Sequence, residues 1–291
     1  MATSPAVVLI FAYKAELDWF EKVALRQCVR VLGRHPIRLV CPEGLNVEVY
    51  RAIAPDLAVD FIPAGWMSSV RAYNRLHTLP FLYERYADFE FMLIHQLDAF
   101  VFRDELAYWC GQGWDYIGAP WFEDCADPYR ARPIGVGNGG FSLRRISAHL
   151  EVMHTWRTMR PAKEVLTEWW TWSALLPNAP WRILGDLVWR NCFHYRLNAF
   201  DGHEDGFWNC AGNRIEGFRV APYEAARRFS FECNAQRLYA ECGKRLPFGC
   251  HAWQVRHTDF WRPFIEAEGY TWPRSEDAAK SAEAAQPAIA F

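Results

Sequence analysis

The sequence predicts a single α/β domain built on a mostly parallel central sheet that is flanked by helices. Two apolar runs of strand length, residues 7–12 and 37–41, enclose a helical pattern at residues 17–32. A strand, a helix and a second strand in such close succession are typical of a parallel sheet with a crossover helix. The apolar run at residues 91–94 indicates a buried strand, since a strand covered on both faces need not alternate apolar and polar residues.

The other elements follow in chain order. The first helix keeps its apolar spacing as far as Leu32 and ends at Gly33. Beyond it we expect a short helix near residues 47–54 and a strand at residues 59–62. Later patterns predict helices at 68–76, 81–86, 104–113 and 236–243, strands at 115–121, 141–143 and 229–233, and a helix that begins at 146.

A Trp-rich helical segment spans residues 150–200 and contains six of the 15 Trp, namely Trp156, Trp169, Trp170, Trp172, Trp181 and Trp189. These rings fit helix packing, and they equally fit one wall of an acceptor groove, because Trp combines a large apolar face with a polar N–H. We assign residues 1–272 to one domain. We expect residues 273–291 to be a disordered tail or a loose helix, because they include too few large apolar residues to fold alone.

Composition excludes several classes of protein. The net charge is −2, so basic residues are not in excess, whereas nucleic-acid binding requires a concentrated basic face. The nine cysteines contain no C-x-x-C pair, which indicates reduced thiols in a cytosolic protein. The apolar run at residues 7–12 is too short to cross a membrane. We therefore expect a cytoplasmic protein with at most peripheral contact at the inner face of the membrane.

Polar residues stand where the predicted strand 91–94 leaves the sheet, in the stretch His95-Gln96-Leu97-Asp98. In open α/β sheets, ligands bind in the crevice beyond the carboxyl ends of the strands. Asp98, flanked by apolar residues, is therefore placed to hold a cation or a sugar hydroxyl. A solvated turn would contain the same aspartate, so the segment alone leaves both interpretations open.

Further polar constellations occur later in the chain. Glycines around Asn138 allow the backbone to approach a ligand closely, although a tight hairpin would use them as well. Glu204 and Asp205 precede an aromatic pair at a predicted helix N-terminus, where the helix dipole alone would favour carboxylates. His251 follows a glycine-containing turn, and a structural histidine fits there too.

Two arginines, Arg71 and Arg75, lie on the predicted helix 68–76, where a phosphate could bind. An exposed helix face would carry the same side chains, so this position too has a purely structural explanation.

Convergence of Asp98, Asp205 and His251 would give a recognisable chemistry. Oxygen and nitrogen ligands from an Asp and a His suit Mn²⁺ or a similar divalent cation. Such an ion would neutralise a diphosphate leaving group, and a separate carboxylate would take the proton of an acceptor hydroxyl. This layout suits the displacement of a nucleoside diphosphate from a sugar.

Five segments, taken in order, resemble glycosyltransferases of the GT-A type, and more narrowly a bacterial and fungal domain family of unassigned activity placed near those transferases. The segments are Gln96-Leu97-Asp98-Ala99-Phe100-Val101-Phe102, Asp115-Tyr116-Ile117-Gly118-Ala119-Pro120-Trp121, Gly137-Asn138-Gly139-Gly140-Phe141-Ser142-Leu143-Arg144, Glu204-Asp205-Gly206-Phe207-Trp208 and Phe248-Gly249-Cys250-His251-Ala252-Trp253. The resemblance implies a GT-A-like fold and a nucleotide-diphosphate sugar donor, with a UDP-hexose as the default. It further implies a glycan or lipid-linked acceptor in cell-surface polysaccharide synthesis.

The resemblance also implies roles for individual residues. Asp205 would be the base of an inverting reaction, with Glu204 as an acceptor contact, although retention of configuration stays open. Metal would be held by Asp98 and His251. Donor contacts would come from Arg71, Asn74, Arg75, Gln96, Asp98, Asn138, Gly139 and Gly140, and acceptor contacts from Trp121, Phe207 and Trp208.

One departure affects these expectations. The Asp-x-Asp motif of metal-dependent relatives is Gln96-Leu97-Asp98 here, so only its second carboxylate is present. Metal dependence therefore stays open. A catalytically silent carbohydrate-binding module on the same scaffold is the alternative function.

Overall fold

The computed structural model describes residues 5–123, 130–172, 181, 184, 185, 187, 189–212 and 214–273. The strands in these ranges are β1 (Ala6–Phe11), β2 (Ile37–Pro42), β3 (Ala58–Ile62), β4 (Phe91–His95), β5 (Ala99–Val101), β6 (Tyr116–Ile117), β7 (Pro120–Phe122), β8 (Pro133–Val136), β9 (Phe141–Arg145), β10 (Ser230–Phe231) and β11 (Gly249–His251). The helices are α1 (Trp19–Leu32), α2 (Glu48–Ile53), α3 (Val70–Leu76), α4 (Pro80–Arg85), α5 (Leu106–Gly111), α6 (Ile146–His154), α7 (Ala162–Trp172), α8 (Phe193–Ala199), α9 (Glu204–Gly212), α10 (Tyr223–Phe229), α11 (Ala235–Glu241) and α12 (Thr258–Ala267).

The central sheet has six strands in the order β3-β2-β1-β4-β9-β6. The first four are parallel to one another, while β9 runs antiparallel to both of its neighbours. The predicted fold class, a mostly parallel sheet flanked by helices, is therefore confirmed. Two smaller sheets complete the architecture: β10-β11-β5 and the hairpin β7-β8.

Strand β1 shows why the apolar runs do not alternate with polar residues. All six of its residues are buried. Val8 and Ile10 lie in one hydrophobic core, and Val7 and Leu9 lie in another on the opposite face of the sheet. Because successive side chains of a strand point to opposite faces, a sheet covered on both sides needs apolar residues at every position.

Helix α1 begins at a capping box. The Asp18 side chain accepts a hydrogen bond from Glu21 N at 2.8 Å, and the Glu21 side chain accepts one from Asp18 N at 3.0 Å. This reciprocal pair satisfies two backbone donors that a helix N-terminus otherwise leaves without partners. The helix therefore starts at Trp19, slightly later than its apolar spacing predicts, and ends at Leu32 as expected.

Some predicted elements differ from the structure. The strand expected at 115–121 is two strands, β6 and β7, which belong to different sheets. The chain passes from one to the other at Gly118, where a Cβ atom would lie 2.8 Å from the Asn138 backbone nitrogen. The strand expected at 229–233 is reduced to β10, because α10 extends as far as Phe229.

Three further expectations concern the Trp-rich segment, the tail and the membrane. The described Trp side chains of the segment, Trp156, Trp181 and Trp189, are exposed. Residues 274–291 of the predicted tail lie outside the described part, so the domain boundary at residue 272 stays a prediction. Among the described helices, none has the length and apolar character needed to cross a membrane.

A buried ion pair joins the sheet to α9. Arg144 on β9 and Glu204, the first residue of α9, approach to 2.7 Å, and their side chains are 0% and 1% exposed. Arg144 also donates to the hydroxyl oxygens of Ser142 and Tyr83. Burial opposes the charge on Arg144, but Glu204 outweighs this effect and holds the pKa of Arg144 well above its usual range. The charged pair thereby fixes the start of α9 against the sheet.

We predict that Glu204→Gln lowers the free energy of unfolding by about 3–5 kcal/mol, because the buried Arg144 charge loses its partner. The double variant Arg144→Met/Glu204→Leu should cost less than this single change, because it removes both charges together. Urea unfolding followed by circular dichroism measures both values. A loss below about 1 kcal/mol in Glu204→Gln, the size expected for an exposed pair, would contradict the prediction.

Candidate active site

The candidate active site forms at one edge of the central sheet. β1 and β4 are parallel, so their carboxyl ends meet at this edge, while the antiparallel β9 begins there. The Gln96 backbone nitrogen donates to the carbonyl oxygen of Gly140 at 2.8 Å. The polar segment that follows β4 therefore lies directly beside the glycine segment that precedes β9.

His251 reaches this edge through the small sheet. β11 pairs antiparallel with β5, and His251 is opposite Ala99, the residue after Asp98. His251 Nε2 lies 3.2 Å from Asp98 Oδ1 and 3.3 Å from Gln96 Oε1. A Cβ atom at position 140 would lie 2.0 Å from His251 Nε2, so only glycine leaves room for the ring. The structure thus brings Asp98 and His251 together, as the sequence predicts.

A second carboxylate lies on the other side of the His251 ring. Glu232 follows β10, and its Oε1 is 3.3 Å from His251 Nδ1. Burial disfavours a charged ring, but Asp98 and Glu232 outweigh burial and raise the pKa of His251 to about 10. Burial would likewise raise the pKa of Asp98, yet the neighbouring His251 charge lowers it. Without a metal, His251 is therefore an imidazolium between two carboxylates.

The side chains around His251 Nε2 fit a divalent cation, although one of the ligands would be an amide oxygen. Among the described residues, no three His, Cys, Asp or Glu side chains are arranged around one metal position. Gln96 Oε1 nevertheless completes a trio with Asp98 Oδ1 and His251 Nε2, and the separations from His251 Nε2 are close to the ~3 Å expected between adjacent ligands of an octahedral ion. The Tyr73 hydroxyl accepts a hydrogen bond from Gln96 Nε2 at 2.8 Å, so it holds the amide oxygen towards this position.

Asp205 and Glu204 have different environments despite being neighbours. Glu204 is fully buried against Arg144, so its carboxylate is not accessible to an acceptor. Asp205 is partly exposed, and its Oδ1 accepts a hydrogen bond from Gly206 N at 2.8 Å. Burial, followed by the charge of Glu232, raises the pKa of Asp205. The charge of Glu232 therefore acts on Asp205 as well as on His251. Glu204, in contrast, pairs with Arg144 in the interior.

The glycine segment is held by an asparagine. Asn138 is buried, and its Oδ1 accepts hydrogen bonds from the backbone nitrogens of Gly140 and Phe141 at 2.7 and 3.0 Å. A Cβ atom at Gly139 would lie 3.1 Å from Glu204 Oε1. The segment thus runs close between the His251 ring and the Glu204 carboxylate, and its backbone forms one wall of the site.

The three predicted donor contacts on α3 belong to a different feature. Arg75 donates to the carbonyl oxygen of Leu197 at 2.7 Å, and Arg71 pairs with Asp201 at 2.6 Å. Asn74 Oδ1 accepts a hydrogen bond from Glu204 N at 3.1 Å and so caps α9. These side chains line a cleft of about 1080 Å³ between α3 and residues 198–203. Arg71 and Arg75 thus contact residues 197–201, Asn74 contacts the start of α9, and a donor-binding role of these three side chains stays a prediction.

Of the three predicted acceptor contacts, one is at the surface of the site. Trp121 is half-buried, and its ring packs against Gly137. A Cβ atom at position 137 would lie 2.5 Å from Cζ2 of this ring. Phe207 and Trp208 are 4% and 0% exposed and lie in the hydrophobic core. These two side chains are therefore core residues of α9, and we do not include them in an acceptor site.

Sequence reasoning did not identify Glu232, Tyr73 or Arg256 as site residues. Arg256 is 46% exposed, and its Nε lies 3.9 Å from Glu232 Oε1. A signal for Glu232 was present, because a carboxylate directly follows the strand-like run Phe229-Ser230-Phe231, and Asp98 likewise stands a few residues beyond the end of β4. Tyr73 and Arg256 carry no comparable signal, since each depends on a contact with a residue far away in the chain.

A family model described as "Protein of unknown function (DUF5672)" matches residues 56–251, and the chain belongs to this family. No curated protein matches the sequence. Among solved structures, the chain is similar to the galactosyltransferase LgtC in complex with donor and acceptor sugar analogs, with 14% identity, a TM-score of 0.49 and coverage of 94% of this chain and 99% of that one.

Two further solved structures are similar to the chain. For mouse xyloside xylosyltransferase 1 in its apo form, the identity is 14%, the TM-score is 0.46, and the coverage is 84% of this chain and 96% of that chain. For the apo-form glycosyltransferase GlyE of Streptococcus pneumoniae TIGR4, the identity is 12%, the TM-score is 0.40, and the coverage is 97% of this chain and 64% of that chain. At these scores the likeness identifies neither a reaction nor a substrate of this chain.

We predict that His251 titrates near pH 10 and that Asp98→Asn or Glu232→Gln lowers its pKa towards the ordinary value of 6.5. The folded-state pKa is raised, so the stabilisation from the charged ring is fully present below about pH 6.5 and is lost as the pH rises towards 10. NMR titration of the imidazole measures the pKa. The difference in unfolding free energy between wild type and His251→Gln, measured across this range, should shrink with pH; a difference that grows would contradict the prediction.

Proposed function

We propose that this protein is a glycosyltransferase, which moves a sugar from a nucleotide-diphosphate donor to a hydroxyl group of an acceptor. The observation that carries the proposal is the convergence of Gln96, Asp98 and His251 at the ligand-binding edge of the sheet. The glycine segment adjoins this trio through the bond between Gln96 N and Gly140 O, and Asp205 is close enough to Glu232 for the charge of Glu232 to act on it. A cation site for a leaving group and a base for a nucleophile are the two parts that glycosyl transfer needs.

The donor diphosphate would lie beside Asp98 and His251. Asp98 Oδ1, Gln96 Oε1 and His251 Nε2 would hold Mn²⁺ or another divalent cation, which when bound neutralises the leaving group. Glu232 would accept a hydrogen bond from His251 Nδ1–H, which fixes the tautomer whose Nε2 carries no proton, and binding of the ion would release the Nε2 proton to solvent. Arg256, whose guanidinium is close to Glu232 and partly exposed, supplies a second positive charge at this position.

The donor sugar would lie against the backbone of the glycine segment. Gly139 is partly exposed and has no side chain, so a pyranose ring can approach its peptide group, whereas Gly140 is buried beside the His251 ring. Trp121, packed over Gly137, offers an aromatic face of the kind on which sugar rings stack. The aromatic wall and the backbone wall together restrict how the sugar can sit.

Asp205 is our candidate for the base. Its raised pKa brings its proton affinity closer to that of a base working near neutral pH. Asp205 would take the proton from the acceptor hydroxyl as that oxygen forms a bond to the anomeric carbon. The bond from this carbon to the diphosphate oxygen breaks on the opposite face, which inverts the configuration.

The acceptor would lie in the cleft of about 1080 Å³ between α3 and residues 198–203. Its walls combine the aromatic side chains of Trp66 and Phe200 with the polar side chains of Arg71 and His203, a mixture that suits a glycan or the sugar part of a lipid-linked acceptor. His203 lines this cleft and is two residues from Asp205 in the chain. In this proposal Asp205 would therefore lie beside the acceptor cleft.

The resemblance of the motifs to GT-A-type enzymes supports a UDP-hexose as the first donor to test. On the same ground we propose cell-surface polysaccharide synthesis as the pathway and the cytosolic side of the membrane as the place of action.

A catalytically silent carbohydrate-binding module is the second candidate, and Gln96 favours it. This residue replaces the first carboxylate of the Asp-x-Asp motif, and the protonated His251 already balances Asp98 without a metal. A screen of nucleotide sugars for release of free nucleoside diphosphate distinguishes the two functions. Release from any donor excludes the silent module, while binding of sugars with no release from any donor supports it.

We predict that Asp205→Asn lowers turnover by about 10²- to 10⁴-fold, because the amide cannot accept the acceptor proton. Donor binding should be unchanged, since in this proposal Asp98, Gln96 and His251 hold the diphosphate through the ion and Asp205 contacts only the acceptor hydroxyl. Asp56→Asn, which alters an exposed loop carboxylate, is the matched control and should keep full activity. Product formation and donor affinity are measured separately, and unchanged turnover in Asp205→Asn would exclude this residue as the base.

We predict that Mn²⁺ increases the affinity for the donor and that a chelator reverses the increase. Glu232→Gln should weaken Mn²⁺ binding by about 10- to 100-fold, because the ring of His251 loses its supporting carboxylate. Gln96→Asp should strengthen Mn²⁺ binding by adding a charged oxygen ligand. Calorimetry of each variant with Mn²⁺ alone, and then with donor, measures these changes. Equal donor affinity with and without chelator would exclude the metal and leave His251 and Arg256 as the charges that face the diphosphate.

A further inference from the structure

A second concave site lies at the far end of the small sheet. It has a volume of about 530 Å³, and four arginines line it: Arg103, Arg227, Arg228 and Arg245. Asp98 precedes β5 and Arg103 follows this strand, so roughly 16 Å of extended chain separates Arg103 from Asp98. Leu246 precedes β11 and His251 ends it, so a similar length of chain separates Leu246 from His251. We call this site the arginine pocket; it is separate from the proposed transfer site.

Three of the four arginines are held in place by backbone carbonyl groups. Arg103 donates to the carbonyl oxygen of Leu246 at 2.8 Å, Arg227 to that of Glu241 at 2.6 Å, and Arg228 to that of Glu224 at 3.1 Å. A carbonyl group orients a guanidinium but does not neutralise its charge. Arg103 and Arg227 are in addition paired with the carboxylates of Glu105 and Glu224, so Arg228 is the one of these three that is positioned without an acidic partner among the described residues; positioning in advance lowers the entropy cost of binding an anion.

The acidic residues of the pocket are already occupied. Glu105 contacts the Arg103 guanidinium through Oε1 and accepts a hydrogen bond from Trp109 Nε1 through Oε2. Glu241 pairs with Arg237 and accepts a hydrogen bond from the Tyr223 hydroxyl. Both carboxylates are thus engaged by other residues, and neither pairs with Arg228 or Arg245 in the described structure.

Two arginines consequently keep unbalanced charge. Arg228 uses Nε for the Glu224 carbonyl, and its two terminal nitrogens contact no acceptor among the described residues. Arg245 is exposed, and its side chain makes no hydrogen bond or ion pair with the described residues. A free pair of guanidinium nitrogens matches the two oxygens of a carboxylate or phosphate in a bidentate manner.

An aromatic ring stands beside these charges. Tyr108 lines the same pocket, and its side chain is 49% exposed. An exposed ring next to free guanidinium groups suits a ligand that has both an apolar ring face and an acidic group. A volume of about 530 Å³ is in the range of sites for small molecules, and the site is concave, whereas a membrane surface would need a convex or flat one.

We propose that the arginine pocket binds an acidic sugar residue, that is, a sugar carrying a carboxylate or a phosphate group. Arg228 and Arg245 would bind the anionic group, and Tyr108 would stack on the sugar ring. The inference does not depend on whether the transfer site turns over a donor. The proposed transfer reaction does not require this second saccharide site.

The test is a set of calorimetric titrations of the full chain with glucuronate, glucose 6-phosphate, glucose and inorganic phosphate. Glucuronate, glucose 6-phosphate or both should bind, glucose should not, and inorganic phosphate should bind more weakly than glucose 6-phosphate. The two acidic sugars distinguish a carboxylate from a phosphate as the preferred group. Tyr108→Ala should remove the preference for the sugar phosphate over inorganic phosphate.

Variants assign the binding to this pocket. Arg228→Ala and Arg245→Ala should each weaken it by about tenfold or more, the size of one charge-assisted hydrogen bond. Arg228→Lys should recover part of the loss, and Arg262→Ala on α12 is the matched control that should bind normally. Arg245 has no described contact to lose, so its variant tests binding without disturbing the fold.

Three outcomes would overturn the proposal. One is the absence of binding by either acidic sugar, and another is binding that neither arginine variant weakens. The third is binding to vesicles of anionic phospholipid that is lost in Arg228→Ala/Arg245→Ala while the soluble sugars do not bind, because this result would identify a membrane surface as the ligand.

Discussion

β9 runs antiparallel to β4 in a sheet whose other central strands are parallel, and this pairing fixes two parts of the candidate site together. The start of β9 brings the glycine segment beside Gln96, and the Gln96 backbone nitrogen donates a hydrogen bond to the carbonyl oxygen of Gly140. Near its end, β9 places Arg144 in the interior, where the guanidinium binds Glu204 and anchors α9. Because both contacts depend on one register, a slip of one residue would turn Arg144 to the opposite face of the sheet and disrupt the site.

Two groups of charges then divide the work between stability and chemistry. The Arg144–Glu204 pair is sealed from water, so its charges balance each other and hold a helix in place. The group of Asp98, His251 and Glu232 is partly open to solvent, with side chains 13% to 26% exposed. Charges that a ligand can reach are able to exchange a proton for a cation, whereas the sealed pair is not. Access to water, more than residue type, therefore separates the structural carboxylate Glu204 from its neighbour Asp205.

Sequence patterns predicted the parallel sheet, the first helix and the approach of Asp98 to His251, since each follows from a signal that is local or motif-based. They were less successful where a residue's role depends on packing. Phe207 and Trp208 follow Asp205 and suggested acceptor contacts, but the helical turn directs both into the core. Arg71 and Arg75 suggested a phosphate site; the structure shows that they also contact residues 197–201, and their role towards a donor stays a prediction. The β7-β8 hairpin was not predicted, because its two short strands have little periodicity and are held by pairing with each other.

By itself, the sequence determined the class of fold and the types of side chain available to a site. Continuous apolar runs, helix caps and glycine segments act over a few residues, and their physical effects can be read without knowing the rest of the chain. Only the tertiary structure decided which carboxylates are exposed to solvent and which carboxylate lies beside each ring nitrogen of His251. It alone placed Glu232 beside His251, Tyr73 beside Gln96 and unbalanced arginines around a second cavity. Burial and charge pairing are sums over neighbours from distant segments, so they become defined only when the strands have paired and the helices have packed.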